Sequence, residues 1–296
     1  MQIASAAVPE GFLDKRPMLR SQVRFWTRNR MALIGLIIVL VLVFMAVFAP
    51  IVAPYDPYER DIRNRLAAPS FSHLMGTDEL GRDTFSRVIY GARVSLSVGL
   101  ISVGLATLVG APLGLMAGFY GGRPDSLIMR LMDAVISFPE IVLAITILAI
   151  LGPSVFNAMI AIGVVYIPIF ARTVRAPAIA QSHREYVEAA HALGASNSRV
   201  LFRHVAPNTM GILIVRMSTS FSYAILAEAS LSFLGLSASP PTATWGRMLK
   251  EGQSFMQQAP WVAIFPGLAI AVAVLGFNLL GDGLRDALDP RARKQV

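Results

Sequence analysis

Long stretches without a charged residue are the feature that most restricts how this chain can fold. Four of them run over 31–55, 94–122, 141–171 and 260–281. A helix needs about 20 consecutive apolar residues to cross a bilayer, so each stretch is long enough to span. Only 15% of the residues are charged, whereas soluble domains have about 25%. We therefore predict an all-α membrane protein.

Turn signals and a fifth apolar region raise the predicted number of spans to six. Gly152-Pro153-Ser154 interrupts the third stretch and predicts a tight hairpin between two helices. The first of these helices must then begin near residue 127, and a further apolar region contains Arg216 and Glu228. The predicted spans are 31–53, 94–118, 127–151, 155–171, 208–236 and 260–281, and residues 54–91 form a periplasmic loop.

The positive charge of the chain is concentrated in alternate segments. The segments 1–30, 118–126, 172–207 and 282–296 hold 16 Lys and Arg against eight acids, which accounts for the whole net charge of +8. The positive-inside rule therefore places the N-terminal segment 1–30, the 172–207 loop and the C-terminal tail 283–296 in the cytoplasm. Membrane topology explains the basicity without a nucleic-acid partner, and the basic N-terminal segment predicts contact with anionic lipid.

Several classes of enzyme site are excluded by composition. The chain has no cysteine, so it has no disulfide, thiol nucleophile or cysteine-bound metal. The four histidines do not form the spaced pairs of a zinc site. The phosphate-binding pattern Gly-x4-Gly-Lys-Ser/Thr is missing as well. We predict no catalytic residue, metal or bound cofactor in this chain.

Three acidic residues in the predicted spans require an explanation, because a charge at membrane depth costs about 2.5–3.5 kcal/mol on insertion scales. Asp133 is three residues from Arg130, and we favour a simple pair between them over a role in a pathway. Glu140 follows Pro139 and either lines a pathway or braces the kink. Glu228 is a candidate for a hydrogen bond between helices or for the wall of a cavity.

Residues 56–93, which include most of the periplasmic loop, contain six arginines and six acids, and this balance suggests a folded cap. Within it, Arg82, Asp83 and Arg87 have the spacing of an exposed helical ladder of salt bridges. Trp245 and Trp261 lie close to the predicted ends of the last periplasmic loop. We interpret them as anchors at the membrane interface rather than as residues that stack against a substrate.

The 172–207 loop contains the most specific local pattern. Residues 185–193 are rich in helix formers, Gly194 suits a left-handed helix stop, and Ser196 can cap a second helix that Pro207 ends. An amphipathic helix resting on the membrane surface is the alternative interpretation.

Glu188-Ala189-Ala190, together with Gly194 and Pro207, resembles the EAA loop of bacterial ABC-importer permeases. In that family the loop forms a coupling helix that docks in a groove of a cytoplasmic ATPase. By this resemblance Glu188 makes polar contacts with the ATPase and Gly194 permits the bend. The resemblance assigns coupling to six residues: Glu185, Glu188, Ala189, Ala190, Gly194 and Arg199.

Three further stretches narrow the resemblance to the second permease, of the DppC/OppC type, of dipeptide, oligopeptide and nickel importers. They are Gly76 to Asp83, Ser232 to Leu236 with the Trp245-Gly246 that follows, and Gly281 to Pro290. The resemblance implies a type I ABC-importer permease fold, with residues 92–282 as its transmembrane domain, in the bacterial inner membrane.

The same resemblance implies the partners. They are a homologous second permease, two cytoplasmic ABC ATPases that bind ATP and Mg²⁺, and a periplasmic solute-binding protein. Di- or oligopeptides are the expected substrate, with nickel complexes or glutathione as alternatives. A stand-alone channel or secondary transporter is the rival from another class, and it predicts repeats that we do not find.

Overall fold

Apolar helices of 18 to 38 residues dominate the structure, a computed structural model that describes residues 30–288. Five helices are long and apolar enough to cross a membrane, and a bent pair of shorter helices makes a sixth span if the pair is counted as one. The all-α prediction is therefore confirmed. The predictions made for residues 1–29 and 289–296 lie outside the described residues.

Short connections join most of the helices. The helix bounds are α1 (Arg30–Val47), α2 (Ala49–Val52), α3 (Thr84–Tyr120), α4 (Gly122–Ile136), α5 (Glu140–Leu151), α6 (Val155–Ser182), α7 (Glu185–Ala192), α8 (Asn197–Val200), α9 (Ala206–Leu234), α10 (Trp245–Gln253) and α11 (Trp261–Leu288). Long loops follow α2 and α9.

The predicted span over 127–151, with its kink at Pro139, is not one continuous helix. The structure has α4 and α5 instead, with an angle of 88° between them. Pro139 lies at the break and adopts an extended conformation, because proline has no amide hydrogen and its ring clashes with the carbonyl four residues before it. The chain turns there, and after Glu140 the helix α5 is apolar except for Thr146.

Three other helices are longer than their apolar stretches. α3 begins at Thr84 rather than at 94, because the Asp83 carboxylate accepts a hydrogen bond from the Ser86 amide at 2.8 Å and caps it. α6 continues to Ser182, into the predicted cytoplasmic loop, and α11 continues to Leu288. An uncharged stretch indicates which part of a helix can lie in lipid. It does not indicate where the helix ends, because the backbone hydrogen bonds continue into the charged residues on either side.

Pro207 does not end the helix that follows Gly194, contrary to the prediction. Residues Leu201–Val205 form a π turn, in which the Ala206 amide donates to the Leu201 carbonyl five residues earlier. The wider turn accommodates the proline ring near the start of α9, where a missing amide hydrogen leaves no α-helical bond broken. The chain is therefore helical from Asn197 to Leu234.

The closest helix contact in the bundle joins α3 to α6. A Cβ atom at Gly110, Gly114 or Gly118 would lie 2.1 to 2.6 Å from a carbonyl oxygen of α6. Glycines at this four-residue spacing let the two backbones approach closely, as is common between membrane helices. α9 packs against α3 and α6, and α11 joins α9 to the peripheral α1.

Candidate functional site

α7 lies at the end of α6 and presents a polar side outward. Val187 is 2% exposed and packs in the main apolar core, together with Val200 and Val205 from the next helical segment. Glu185 and Glu188 lie on the exposed side. This arrangement follows from the helical period, which places residue 187 opposite its charged neighbours.

Gly194 produces the bend after α7 that the sequence predicts. Its φ is +81°, a left-handed conformation that glycine adopts without strain. The Gly194 amide donates to the His191 carbonyl at 2.9 Å, and the Ala195 amide donates to the Ala190 carbonyl at 3.0 Å. These two hydrogen bonds form a Schellman motif, which ends α7 and redirects the chain into α8.

The remaining predicted coupling residues lie on the same exposed surface. Ala189 and Arg199 are exposed, and Ala190 is half-buried. Among residues 30–288, Glu185, Glu188 and Arg199 form no side-chain hydrogen bond or ion pair. Ser196 occupies the N-cap position as predicted, but its hydroxyl lies 3.4 Å from the Ser198 hydroxyl and accepts no backbone hydrogen bond.

Tyr186, which the sequence reasoning did not single out, ties this segment to two transmembrane helices. Its hydroxyl donates to Gln181 Oε1 at 2.7 Å, and Asn208 Nδ2 donates to the same hydroxyl at 3.3 Å. The hydrogen bonds reach the end of α6 and the start of α9. Beside α7, a cleft of about 490 Å³ is bordered by the ends of α3 and α6 and by His183 and His191.

Asp133 forms an ion pair with Arg172 of α6, and the predicted pair with Arg130 is wrong. The reason is the direction of α4, which runs against α6 and thereby brings its acids to the arginines of that helix. Asp125 binds Arg175 in the same way, with two contacts of 2.6 Å. These partners are 39 and 50 residues apart, so local spacing could not identify them.

Glu140 begins α5 and is exposed. Its carboxylate makes no hydrogen bond or ion pair with another described residue, so it does not brace the Pro139 kink. Glu228 is different, because it is 0% exposed and accepts a hydrogen bond from the Ser237 hydroxyl at 3.3 Å. Glu228 thus connects α9 to the loop that follows it and does not form a cavity wall.

The predicted exposed ladder in the first periplasmic loop is wrong, since Arg82 and Arg87 are both buried. Arg82 Nε binds Asp78 at 2.6 Å, and both arginines bind Glu251 Oε2 at 3.1 Å. Burial and the Asp78 charge raise the pKa of the neighbouring Glu79 carboxyl above its usual range. Three acids within this cluster have the spacing of a cation site, but arginines already neutralise them.

Glu251 lies on α10, more than 160 residues from both arginines, and its role had no signal in the sequence. The cluster therefore joins the loop before α3 and the first turn of α3 to α10. Trp245 strengthens this junction, since it is 1% exposed and its indole donates to the Val88 carbonyl at 2.9 Å. The interpretation of Trp245 as an interfacial anchor is wrong. Trp261 donates to the Thr77 carbonyl at 3.4 Å, and is partly buried.

Two family models match this chain. Residues 110–294 match the family of binding-protein-dependent transport system inner membrane components. Residues 19–69 match the N-terminal TM domain of oligopeptide transport permease C.

Close relatives span almost the whole chain. The chain is 48% identical to the dipeptide transport system permease protein DppC of Alkalihalophilus pseudofirmus, over 90% of this chain and 88% of that protein. It is 48% identical to the di/tripeptide transport system permease protein DppC of Pseudomonas aeruginosa, over 91% of this chain and 92% of that protein. The glutathione permease GsiD of Pectobacterium atrosepticum is 44% identical, with 91% of each chain covered.

The fold is also similar to a solved structure. A chain of the MetNI methionine ABC transporter in an inward-facing conformation superposes with a TM-score of 0.57 and 17% identity. The match covers 69% of this chain and 96% of the other, and it confirms the expected type I permease architecture.

Proposed function

Because the chain belongs to the family of binding-protein-dependent transport system inner membrane components, we propose that it forms half of the translocation pathway of an ATP-driven peptide importer. The single observation that supports a peptide substrate is the 48% identity, over about nine-tenths of the chain, to permeases named for dipeptides and tripeptides. Glutathione is itself a small peptide, so the relative named for it fits the same substrate class. A nickel complex is the weaker alternative.

The exposed side of α7 is the proposed contact with a cytoplasmic ATPase. Glu185, Glu188 and Arg199 have no partner among the described residues of this chain, so their charges are available to a partner protein. Val187 and Tyr186 are fixed to the transmembrane helices. A displacement of α7 by the ATPase is therefore transmitted to α6 and α9, because packed interiors resist compression.

The proposed assembly contains this chain, a homologous second permease, two ATPases and a binding protein. ATP and Mg²⁺ are held by the ATPases, and this chain contributes no catalytic residue or cofactor ligand. Both termini and α7 are on the cytoplasmic side of the inner membrane in this proposal. The buried cluster of Asp78, Arg82, Arg87 and Glu251 supports the opposite surface, which receives the binding protein.

Reconstitution tests this function. The complex is purified through a tag on this chain, placed in proteoliposomes with its binding protein, and supplied with ATP. We expect uptake of a radiolabelled dipeptide that stops without ATP. Uptake of a nickel complex but of no peptide would contradict the substrate, and ATP-independent flux through this chain alone would support the channel or secondary-transporter alternative.

A further inference from the structure

The exposed faces of the transmembrane helices differ in polarity. Between Met31 and Val47 of α1, every exposed residue is apolar. The same is true of α11 between Trp261 and Gly281, where the exposed residues are alanine, valine, leucine and isoleucine. Lipid tails offer no hydrogen bonds, so entirely apolar faces of this kind suit direct contact with the bilayer.

α9 presents a different surface, which we call the polar face of α9. Residues at intervals of three or four lie on one side of a helix, and on this side of α9 each of them is exposed or partly exposed. They are Asn208, Ile212, Arg216, Thr219, Tyr223, Leu226 and Ser230. Polar residues therefore alternate with apolar ones along a face that no described helix covers.

The polar groups on this face are not all satisfied within the helix. The Thr219 and Ser230 hydroxyls donate to carbonyls of α9 at 3.1 and 2.9 Å, which makes them compatible with lipid. The Tyr223 hydroxyl makes no hydrogen bond with any residue in 30–288, and Tyr223 is 59% exposed. Arg216 Nε is shielded from solvent and has no acceptor among the same residues.

Tyr223 lies deep in the membrane. The adjacent Ser222 hydroxyl donates to the Val274 carbonyl of α11 at 3.2 Å, which places these positions at one level. Val274 is eight residues before Asp282, the first charged residue of α11, so Tyr223 is about 12 Å inside that charge. Tyrosine is enriched at the membrane interfaces, where its hydroxyl can meet water. At this depth, an unpaired hydroxyl indicates that the polar face of α9 borders water and not lipid.

The shape of the polar face also argues against close packing on another helix. Where α3 meets α6, glycines at four-residue intervals bring the two backbones together. The polar face of α9 has large side chains instead, which are Ile212, Arg216, Tyr223 and Leu226. A row of large side chains keeps a neighbouring helix at a distance, and it therefore suits the wall of an open space.

We propose that the polar face of α9 lines the water-filled route of the transported peptide, and that Tyr223 contacts the peptide within the membrane. A peptide carries hydrogen-bonding backbone groups and side chains that are often apolar, and the alternation along α9 suits both. The Tyr223 hydroxyl can donate and accept a hydrogen bond, so it can bind the backbone of peptides that differ in sequence. This inference rests on the proposed peptide substrate.

Single cysteines test this face, because the chain has none of its own. Tyr223→Cys and Leu226→Cys place one thiol on the polar face of α9. Leu275→Cys is the matched control, since it is exposed on the apolar face of α11 beside Val274 and thus at nearly the same depth. Each variant is purified as the complete transporter in nanodiscs, and the rate at which a charged methanethiosulfonate reagent labels this chain is measured.

We expect residues 223 and 226 to be labelled about ten times faster than residue 275, because the reaction needs a thiolate, which forms in water and not in apolar surroundings. Equally slow labelling at residues 223 and 275 would overturn the inference, since lipid or the second permease would then cover the polar face of α9.

A transport measurement tests the contact with the peptide. The variants are reconstituted in proteoliposomes with the reagent on both sides, and uptake of a radiolabelled dipeptide is measured with the binding protein and ATP. The wild type is treated in the same way, to correct for labelling of partner subunits. The adduct at residue 223 should block uptake, and the adduct at residue 275 should leave it unchanged. Full uptake after complete labelling of residue 223 would overturn the proposed contact.

Dipeptide uptake by the untreated wild type is measured first, which separates the two proposals. If the wild type imports no dipeptide, the proposed function fails, and the contact between Tyr223 and a peptide fails with it. If the wild type imports dipeptide and residue 223 is labelled as slowly as residue 275, only the inference about α9 is rejected.

Discussion

Single carboxylates in this molecule act in ways that depend on what surrounds them. Glu188 is exposed and unpaired among the described residues, Glu228 is enclosed by hydroxyl groups, and Glu79 lies beside another acid in a half-buried cluster. The sequence alone identified the first two as unusual, because one occurs in a specific motif and the other in an apolar stretch. It gave no sign that Glu79 was perturbed, since the burial of that residue depends on α10.

Glu188→Lys should abolish peptide uptake, because it reverses a charge on the proposed ATPase contact. The complex should lose its ATPases or hydrolyse ATP without transport, while expression and the number of spans stay unchanged. Glu59→Lys, which reverses an exposed acid in the loop between α2 and α3, is the matched control. Normal uptake by the Glu188 variant would contradict the coupling role.

Glu79→Gln should stabilise the protein at neutral pH. A carboxyl whose folded pKa is raised above its unfolded value of 4.5 loses stability as pH rises from that value through the folded pKa. The glutamine variant avoids this loss. Thermal unfolding in detergent should therefore give a higher Tm for the variant at pH 8 and equal Tm values near pH 4. A variant less stable at pH 8 would show that the Arg82 contact outweighs the burial.

At the scale of whole elements, the sequence predicted the helices better than their directions. The apolar stretches and the Gly152-Pro153 hairpin are local signals, and the structure has helices at every apolar stretch and a break between α5 and α6 at residues 152–154. The direction of α4 is not a local signal, because α4 packs against α6, a helix distant in sequence, where its acids Asp133 and Asp125 meet arginines. The kink at Pro139 was visible, but its 88° angle was not.

The elbow after α7 depends on a residue that tolerates a positive φ. Gly194→Ala places a Cβ atom in the left-handed region, at a cost of about 1–2 kcal/mol, and should shift α7 relative to α8. We expect reduced uptake and weaker retention of the ATPases on purification. Gly194→Asn should retain most activity, because asparagine adopts this conformation more readily. Equal behaviour of the Ala variant and the wild type would show that the bend is not needed.

The contact between α3 and α6 should be sensitive to a single methyl group. At Gly114, a Cβ atom would lie 2.1 Å from the Ala171 carbonyl oxygen, so Gly114→Ala forces the helices apart. Overpacking of this kind costs about 1–3 kcal/mol, which should appear as a lower Tm of the purified complex. Gly104→Ala is the control on the same helix, because nothing lies within 4 Å of its added Cβ.

At the scale of the whole molecule, the absence of cysteine allows the orientation to be measured directly. Glu59→Cys and Arg199→Cys each introduce one thiol at an exposed position, at opposite ends of the bundle. An impermeant maleimide should label residue 59 in intact spheroplasts and residue 199 only in inverted vesicles. The reverse pattern would contradict the cytoplasmic location of α7.

The spanning helices were predictable because hydropathy acts on segments independently of their neighbours. The cluster that contains Glu251 was not, because α10 is distant in sequence from Asp78, Arg82 and Arg87. Its arginines had been interpreted as a surface ladder on spacing alone. The spacing of residues in sequence predicts contacts within one helix. It does not predict that α10 covers Arg82 and Arg87.

The indole of Trp245 has a consequence for how relatives of this chain can diverge. It lies so close to Gly91 that a Cβ atom there would come within 2.7 Å of the ring. Neither position can therefore change alone without disturbing the junction between α3 and α10. In an alignment of homologous sequences, a side chain at position 91 should occur together with a residue smaller than tryptophan at position 245, as a correlated pair.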